Sequence, residues 1–177
     1  MWTDIRQEIE RARQELGLTP AQFQPLGLAE WPAVEKRVNG TFADPNYKSR
    51  QAVLLWTRLR PDLPRTGLPD VDAAVDEEKL QLLRALWQPD ESVFFFAQEG
   101  ISDPKMWWYQ ARSPAAWTIV ETLGPQARRL QEWGIVDCHY QWILFINHSD
   151  HMLFCGTALI ERLRNVASDH QLRMGEP

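Results

Sequence analysis

The stretch Tyr140 to Gly156, YQWILFINHSDHMLFCG, constrains the fold more than any other part of the chain. Two short apolar runs flank Asn147-His148-Ser149-Asp150, residue types that hydrogen-bond their own backbone and accept turn conformations. That arrangement predicts a β-hairpin buried in a sheet, with Trp142, Leu144 and Ile146 on one inward face because side chains alternate along a strand.

A buried hairpin needs neighbours, and the chain supplies them from Glu91 onward. Ser92 to Ala97 reads as an apolar aromatic strand, Glu99 to Pro104 as a loop, and Lys105 to Arg112 as a second strand. Ser113-Pro114 starts a helix that carries Trp117, Val120 and Leu123 on one face and is expected to stop at Gly124-Pro125. A strand over Gly134 to Cys138 precedes the hairpin, and Thr157 to Val166 forms the last helix. The resulting order, β-β-α-β-β-β-α with short connections, predicts an α+β protein with a mainly antiparallel sheet.

The N-terminal half reads as helical. Thr3 to Leu16 spaces Ile5, Ile9, Ala12 and Leu16 on one face, and Gly17 ends it. Thr19 to Gln22 has the pattern of a capping box and predicts a helical turn through Phe23. Further helices are expected at Trp31 to Val38, ending at Asn39-Gly40, and from Asp44 to about Leu59. Pro61 to Pro69, PDLPRTGLP, cannot continue a helix or form a central strand and is read as a linker. The expected division is a helical segment over 1–60, a linker over 61–69, an α+β domain over 70–170, opening with a helix through Leu80, Leu83 and Trp87, and a tail over 171–177.

Composition narrows the function classes. A net charge of -5 gives no concentrated positive field for nucleic acid. The apolar runs are far shorter than the roughly 20 residues of a membrane-spanning helix, and the amphipathic N-terminus does not resemble a signal peptide, so a cytoplasmic location is expected. Nine tryptophans are many for one small core and favour a displayed binding surface. Cys138 and Cys155 form no zinc-type spacing and read as buried reduced thiols, a disulfide requiring their strands to pair in register. The sequons at Asn39 and Asn147 read as chance matches in such a protein.

Three groups of side chains invite a functional reading. Cys138, His139, Asn147, His148, Asp150, His151 and Cys155 hold the densest set of metal-ligating and acid/base groups. Turn chemistry explains Asn147 to Asp150, and strand alternation need not bring Asp150 and His151 together, so neither a metal nor any other cofactor is expected. In Trp107-Trp108-Tyr109, alternation puts Trp107 and Tyr109 on one side and Trp108 on the other, so either tryptophan can anchor a partner unless the sheet is covered on both faces. The acidic run Asp70, Asp72, Asp76, Glu77 and Glu78 is a solvated helix start or a surface for a basic partner.

Around the hairpin the chain resembles a bacterial domain family of unknown function with a Tyr-x-Trp-Leu-Leu-x-x-Asn-His-His-Asp-like hairpin followed by a helix. Tyr140, Trp142, Asn147, His148 and Asp150 match, Ser149 replaces a histidine, and the likeness covers about residues 91–165. At the level of fold, such small acidic proteins look like immunity proteins found beside bacterial toxins. The reading that follows is a non-enzymatic binding protein with a protein partner, a cognate toxin, contacted through Trp107, Trp108, the acidic run, Asn147, His148 and Asp150. An enzyme using His148, Asp150 and His151, and a structural subunit of a larger assembly, are the alternatives.

Overall fold

The computed structural model describes residues 4–46, 58–68, 83–100, 103–127, 130, 132–146 and 152–169. Helix α1 (Asp4–Glu15) is followed by strand β1 (Phe23–Pro25), helix α2 (Trp31–Phe42) and strand β2 (Arg65–Leu68). Then come β3 (Ser92–Gly100), β4 (Asp103–Arg112), α3 (Ser113–Ala127), β5 (Trp133–Asp137), β6 (Ile143–Ile146), β7 (Met152–Cys155) and α4 (Thr157–Asp169). The strands form one antiparallel seven-stranded sheet in the order β1-β4-β3-β5-β6-β7-β2. The class is α+β, and the second half follows the predicted order of strands and helices.

The hairpin is present, with Ile143 opposite Cys155 and Ile146 opposite Met152. Its strand is shorter than expected: Tyr140 lies in the preceding turn at φ 59°. Both faces are covered. Trp142, Leu144 and Ile146 pack with Phe95, Ile135, Phe154 and the apolar faces of α1, α3 and α4. Ile143 and Phe145 point the other way, into a second core with Phe96, Trp108, Val136, Cys155 and the Val34, Val38 and Phe42 side of α2. An antiparallel sheet usually keeps one face toward water, and the near-continuous apolar runs VFFF and ILFI are what a doubly covered sheet requires.

This two-sided core absorbs the tryptophans. Trp108, Trp117, Trp133 and Trp142 are each under 5% exposed, and Trp31, Trp87 and Trp107 are half-buried. Among the described residues no tryptophan is fully displayed, and these seven are used in packing on the two faces. Phe96 lies against Gly134 across the β3–β5 pair, and a Cβ at 134 would overlap the Phe96 ring and stand 2.7 Å from the Leu144 carbonyl oxygen. Gly134 therefore lets the Phe96–Trp108 ring pair, 4.8 Å between centroids, settle onto the sheet.

The N-terminal half differs from the sequence reading. The Thr19 turn forms, with Gln22 Oε1 accepting from the Thr19 backbone N–H at 3.0 Å and the Thr19 hydroxyl at 2.9 Å, and then leads into edge strand β1. The segment read as a linker contributes β2, paired with β7 from Arg65 opposite Cys155 to Leu68 opposite Met152. The four residues of β2, Arg65-Thr66-Gly67-Leu68, contain no proline, so each keeps the backbone N–H that a ladder uses. Helix α2 runs through Asn39 and Gly40 to Phe42, and α3 runs through Gly124 and Pro125 to Ala127. Most of the helices expected at 44–59 and 70–87 lies outside the described residues; residues 83–86 are helical and bury Leu83 and Leu86.

Both cysteines are free thiols. Cys155 lies on β7 and Cys138 beyond β5, with β6 between those strands, so their strands do not pair. Burial pushes the Cys155 thiol up to about 11. An unfolded thiol titrates at about 8.5. The folded chain therefore holds its proton between these values while the unfolded chain releases it. The contribution is complete below the unfolded value and is lost as pH rises through the window, by at most about 3 kcal/mol. Urea unfolding at pH 7.5 and 10.5 is expected to show a smaller alkaline loss for Cys155→Ala than for the parent chain; equal losses would contradict this assignment.

Candidate functional site

The turn joining β5 to β6 is organised by one side chain. Asp137, 4% exposed, accepts backbone N–H bonds from His139 at 3.0 Å, from Trp142 at 2.9 Å and from Gln141. The Asp137 carbonyl also accepts from Tyr140 N–H at 3.0 Å, which closes the turn around the positive φ of Tyr140. A carboxylate can satisfy several orphan backbone donors at once, and this is why the charge is tolerated in a nearly buried position. Tyr140 stacks on Phe94 with centroids 5.7 Å apart, under the Arg37 guanidinium, and burial raises its phenol above the ordinary value.

Beside this turn, the entry into β3 forms the opposite wall of an open cleft of about 620 Å³. Gln88, Pro89, Asp90, Glu91 and Ser92 line one side, and Asp137, Cys138 and His139 the other. The two walls are tied by the Cys138 N–H donating to the Ser92 carbonyl at 3.1 Å. Arg112 donates to the Asp90 carbonyl at 2.9 Å and to the Ser92 hydroxyl at 3.1 Å. From α4, Arg162 donates to both Glu91 carboxylate oxygens, at 2.9 and 3.1 Å, and lies 5.7 Å from the centroid of the Trp142 ring. The wall, the last helix and the central tryptophan are thus linked.

The chemistry of the cleft is acidic. Three carboxylates line it, and the lining residues include no lysine or arginine. The half-buried Cys138 thiol is pushed above its ordinary value, first by burial and next by the Asp137 charge, with Glu91 adding to the effect and Arg112 opposing it. A thiol held protonated is a poor nucleophile and a poor metal ligand. His139 stands exposed at the rim. Glu91 already meets the Arg162 charge and the Asp137 carboxylate meets three backbone N–H groups, so Asp90, exposed at the rim, is where a guanidinium or ammonium group meets the cleft first.

The expected site residues are distributed differently. Trp107 shares a face with Tyr109 and sits at the edge of the larger core, 4.5 Å from the Arg6 guanidinium and 4.3 Å from the Lys105 ammonium. Trp108, expected among the partner-facing rings, is 3% exposed in the second core and is a packing residue. Asp70, Asp72, Asp76, Glu77, Glu78, Asn147, His148, Asp150 and His151 lie outside the described residues. Among the described residues no group of three or more His, Cys, Asp or Glu is placed to hold a metal ion. Also among them, no helix is long and apolar enough to cross a membrane.

The cleft was visible in the sequence only in part. Cys138-His139 drew attention as reactive types, whereas Asp137, Asp90 and Glu91 did not. The missed signal is an Asp at the end of one apolar run and a short polar link before the next, the setting of a side-chain-capped turn. Comparison with curated proteins and with solved structures gives no match. A family model does match, over residues 1–167, a range that includes the N-terminal helices as well as the sheet, and the chain belongs to that family, the family of unknown function DUF6756.

Proposed function

We propose that this is a non-enzymatic binding protein, most concretely an immunity-type protein that acts in the cytoplasm and neutralises a toxin by covering a cationic part of its surface. The observation that carries the reading is the acidic cleft at residues 88–92 and 137–139. Two of its carboxylates are fixed before any partner arrives, Glu91 by Arg162 and Asp137 by the turn. Fixed charges steer a basic partner and need little ordering on binding, which favours recognition. The net charge of -5 acts in the same direction at longer range.

Co-expression with the product of the adjacent gene, followed by affinity capture from the native host, tests this. A specific complex and rescue of growth are expected. Absence of both a stable complex and rescue would remove the reading.

A further inference from the structure

The two outer edges of the sheet differ. On β1, the Leu26 N–H donates to the Trp108 carbonyl at 2.9 Å and the Gln22 carbonyl accepts from Arg112 N–H at 2.8 Å, so even-numbered residues face β4 while Phe23 and Pro25 face outward. The Phe23 N–H is donated back to the Thr19 carbonyl at 3.0 Å, and a proline has none to give. This edge therefore offers a new strand no backbone donor, one of the ways in which a sheet is closed.

The β2 edge has the opposite character. Gly156 N–H donates to the Pro64 carbonyl at 2.9 Å, and Thr66 and Leu68 stand opposite Phe154 and Met152, so Arg65 and Gly67 turn their N–H and carbonyl groups away from β7. Among the described residues nothing accepts from either N–H. A second copy of β2 matches these groups. With each Arg65 opposite Gly67 of the other copy, both N–H groups and both carbonyls on each side are used, and Thr66 faces its counterpart across the two-fold axis, a favourable cross-strand pair. Each arginine then stands opposite a residue without a side chain.

Helix α4 supplies the independent observation. It contacts both β7 and β2, so its axis runs above the gap between them. With strands about 4.8 Å apart, the two-fold axis beside β2 sets the two α4 helices antiparallel and about 10 Å apart, a normal packing distance. Thr66 lies about 7 Å along the strand from Pro64, the rise of four to five helical residues, so the axis passes α4 close to Glu161. Arg162 points to Glu91 on β3, and β2 lies on the far side of β7 from β3. Glu161 and Arg164 are about 100° and 160° round the helix from Arg162 in the same sense, on the flank that overhangs the β2 edge. Both are exposed, and neither forms an ion pair among the described residues. Two antiparallel copies of this flank place opposite charges side by side.

We propose that the chain forms a two-fold dimer by antiparallel pairing of β2 with β2, with Glu161 of each copy meeting Arg164 of the other. Four hydrogen bonds and two exposed ion pairs make a modest contact, so the outcome is a concentration-dependent equilibrium. The acidic cleft, on the Arg162 flank, stays open in both copies, and the dimer does not depend on the partner reading.

Sedimentation equilibrium of the full chain over a wide range of concentration is expected to show monomer passing to dimer, with amide hydrogen exchange at Arg65 and Gly67 slowing as the dimer fills. Gly67→Pro removes an outward N–H and none that bonds β7, and a Cβ at 67 makes only ordinary contacts, 3.5 Å from the Met152 carbonyl oxygen. It is expected to keep the parental Tm and to weaken dimerisation at least about tenfold. Arg164→Glu is expected to weaken the dimer and the double exchange Glu161→Arg with Arg164→Glu to restore it. The proposal is overturned if the parent chain stays monomeric at every concentration, or if dimerisation is unchanged in Gly67→Pro. Should that variant not fold, a dimer unchanged in Arg164→Glu, or not restored by the double exchange, overturns it.

Discussion

Gly156→Ala is expected to destabilise the chain by about 4 kcal/mol or more, a large part of the roughly 5–15 kcal/mol that keeps a domain folded. Gly156 has φ 107°, a conformation in which an L side chain is strained by about 1–3 kcal/mol. The added Cβ would also overlap the Gln141 carbonyl oxygen and stand 2.8 Å from Trp142 Cα and 2.9 Å from Trp142 Cβ. These are backbone and core atoms that cannot swing aside. Gly156 also joins β7 to α4: its N–H donates to the Pro64 carbonyl at 2.9 Å, and its carbonyl accepts from Ile160 N–H at 3.1 Å. Relief of the clash by shifting this residue would therefore disturb the edge next to β2 and the first turn of α4. Urea unfolding checks the prediction, and a loss under about 1 kcal/mol would mean that the hairpin and helix junction is not built as described.

Trp142→Ala is expected to cost about 3–5 kcal/mol, the range for deleting a large buried aromatic side chain. Trp142 is 1% exposed and its ring lies 6.0 Å from Trp87, itself 6.0 Å from Trp117. The residue also bears on the acidic cleft, because Arg162 lies over its ring while holding Glu91. Trp142→Phe is expected to recover much of the stability, since it keeps an aromatic body in the site. Equilibrium unfolding of the pair measures both values, and equal loss in the two variants would contradict a packing role.

These predictions fall on the part of the fold that was most legible. The strand runs around Phe95 and Leu144 are short, continuously apolar and bounded by turn residues, so the sequence of strands and helices in the second half could be read from local pattern. The short edge strands were not legible. Phe23–Pro25 and Arg65–Leu68 gain their strand character only by lying beside β4 and β7, a tertiary fact that a segment of three or four residues does not announce. The full burial of Trp108 was hidden for a related reason. Alternation places it opposite Trp107, but only the presence of α2 on that face decides between core and surface.

For the candidate site, residue type was a poor guide. Histidine and cysteine attracted a chemical reading, yet the groups that shape the cleft are Asp137, whose carboxylate caps a turn, and Glu91, whose charge is held by Arg162 from 71 residues away in sequence. The ion pair joins segments that no local window contains. The turn is local, and its signal is an Asp preceding Cys138 to Gln141, the setting of a side-chain-capped loop.

We propose that the acidic cleft at residues 88–92 and 137–139 recognises a cationic protein surface. The most direct measurement is the affinity of the purified chain for its captured partner, compared with Asp90→Lys at low and at physiological salt. Asp90 is exposed at the rim, so its replacement leaves the core intact. Asp90→Lys is expected to keep parental thermal stability, with affinity reduced by about tenfold or more at low salt and a smaller difference at higher salt as the charges are screened. Unchanged affinity in Asp90→Lys at both salt concentrations would contradict it.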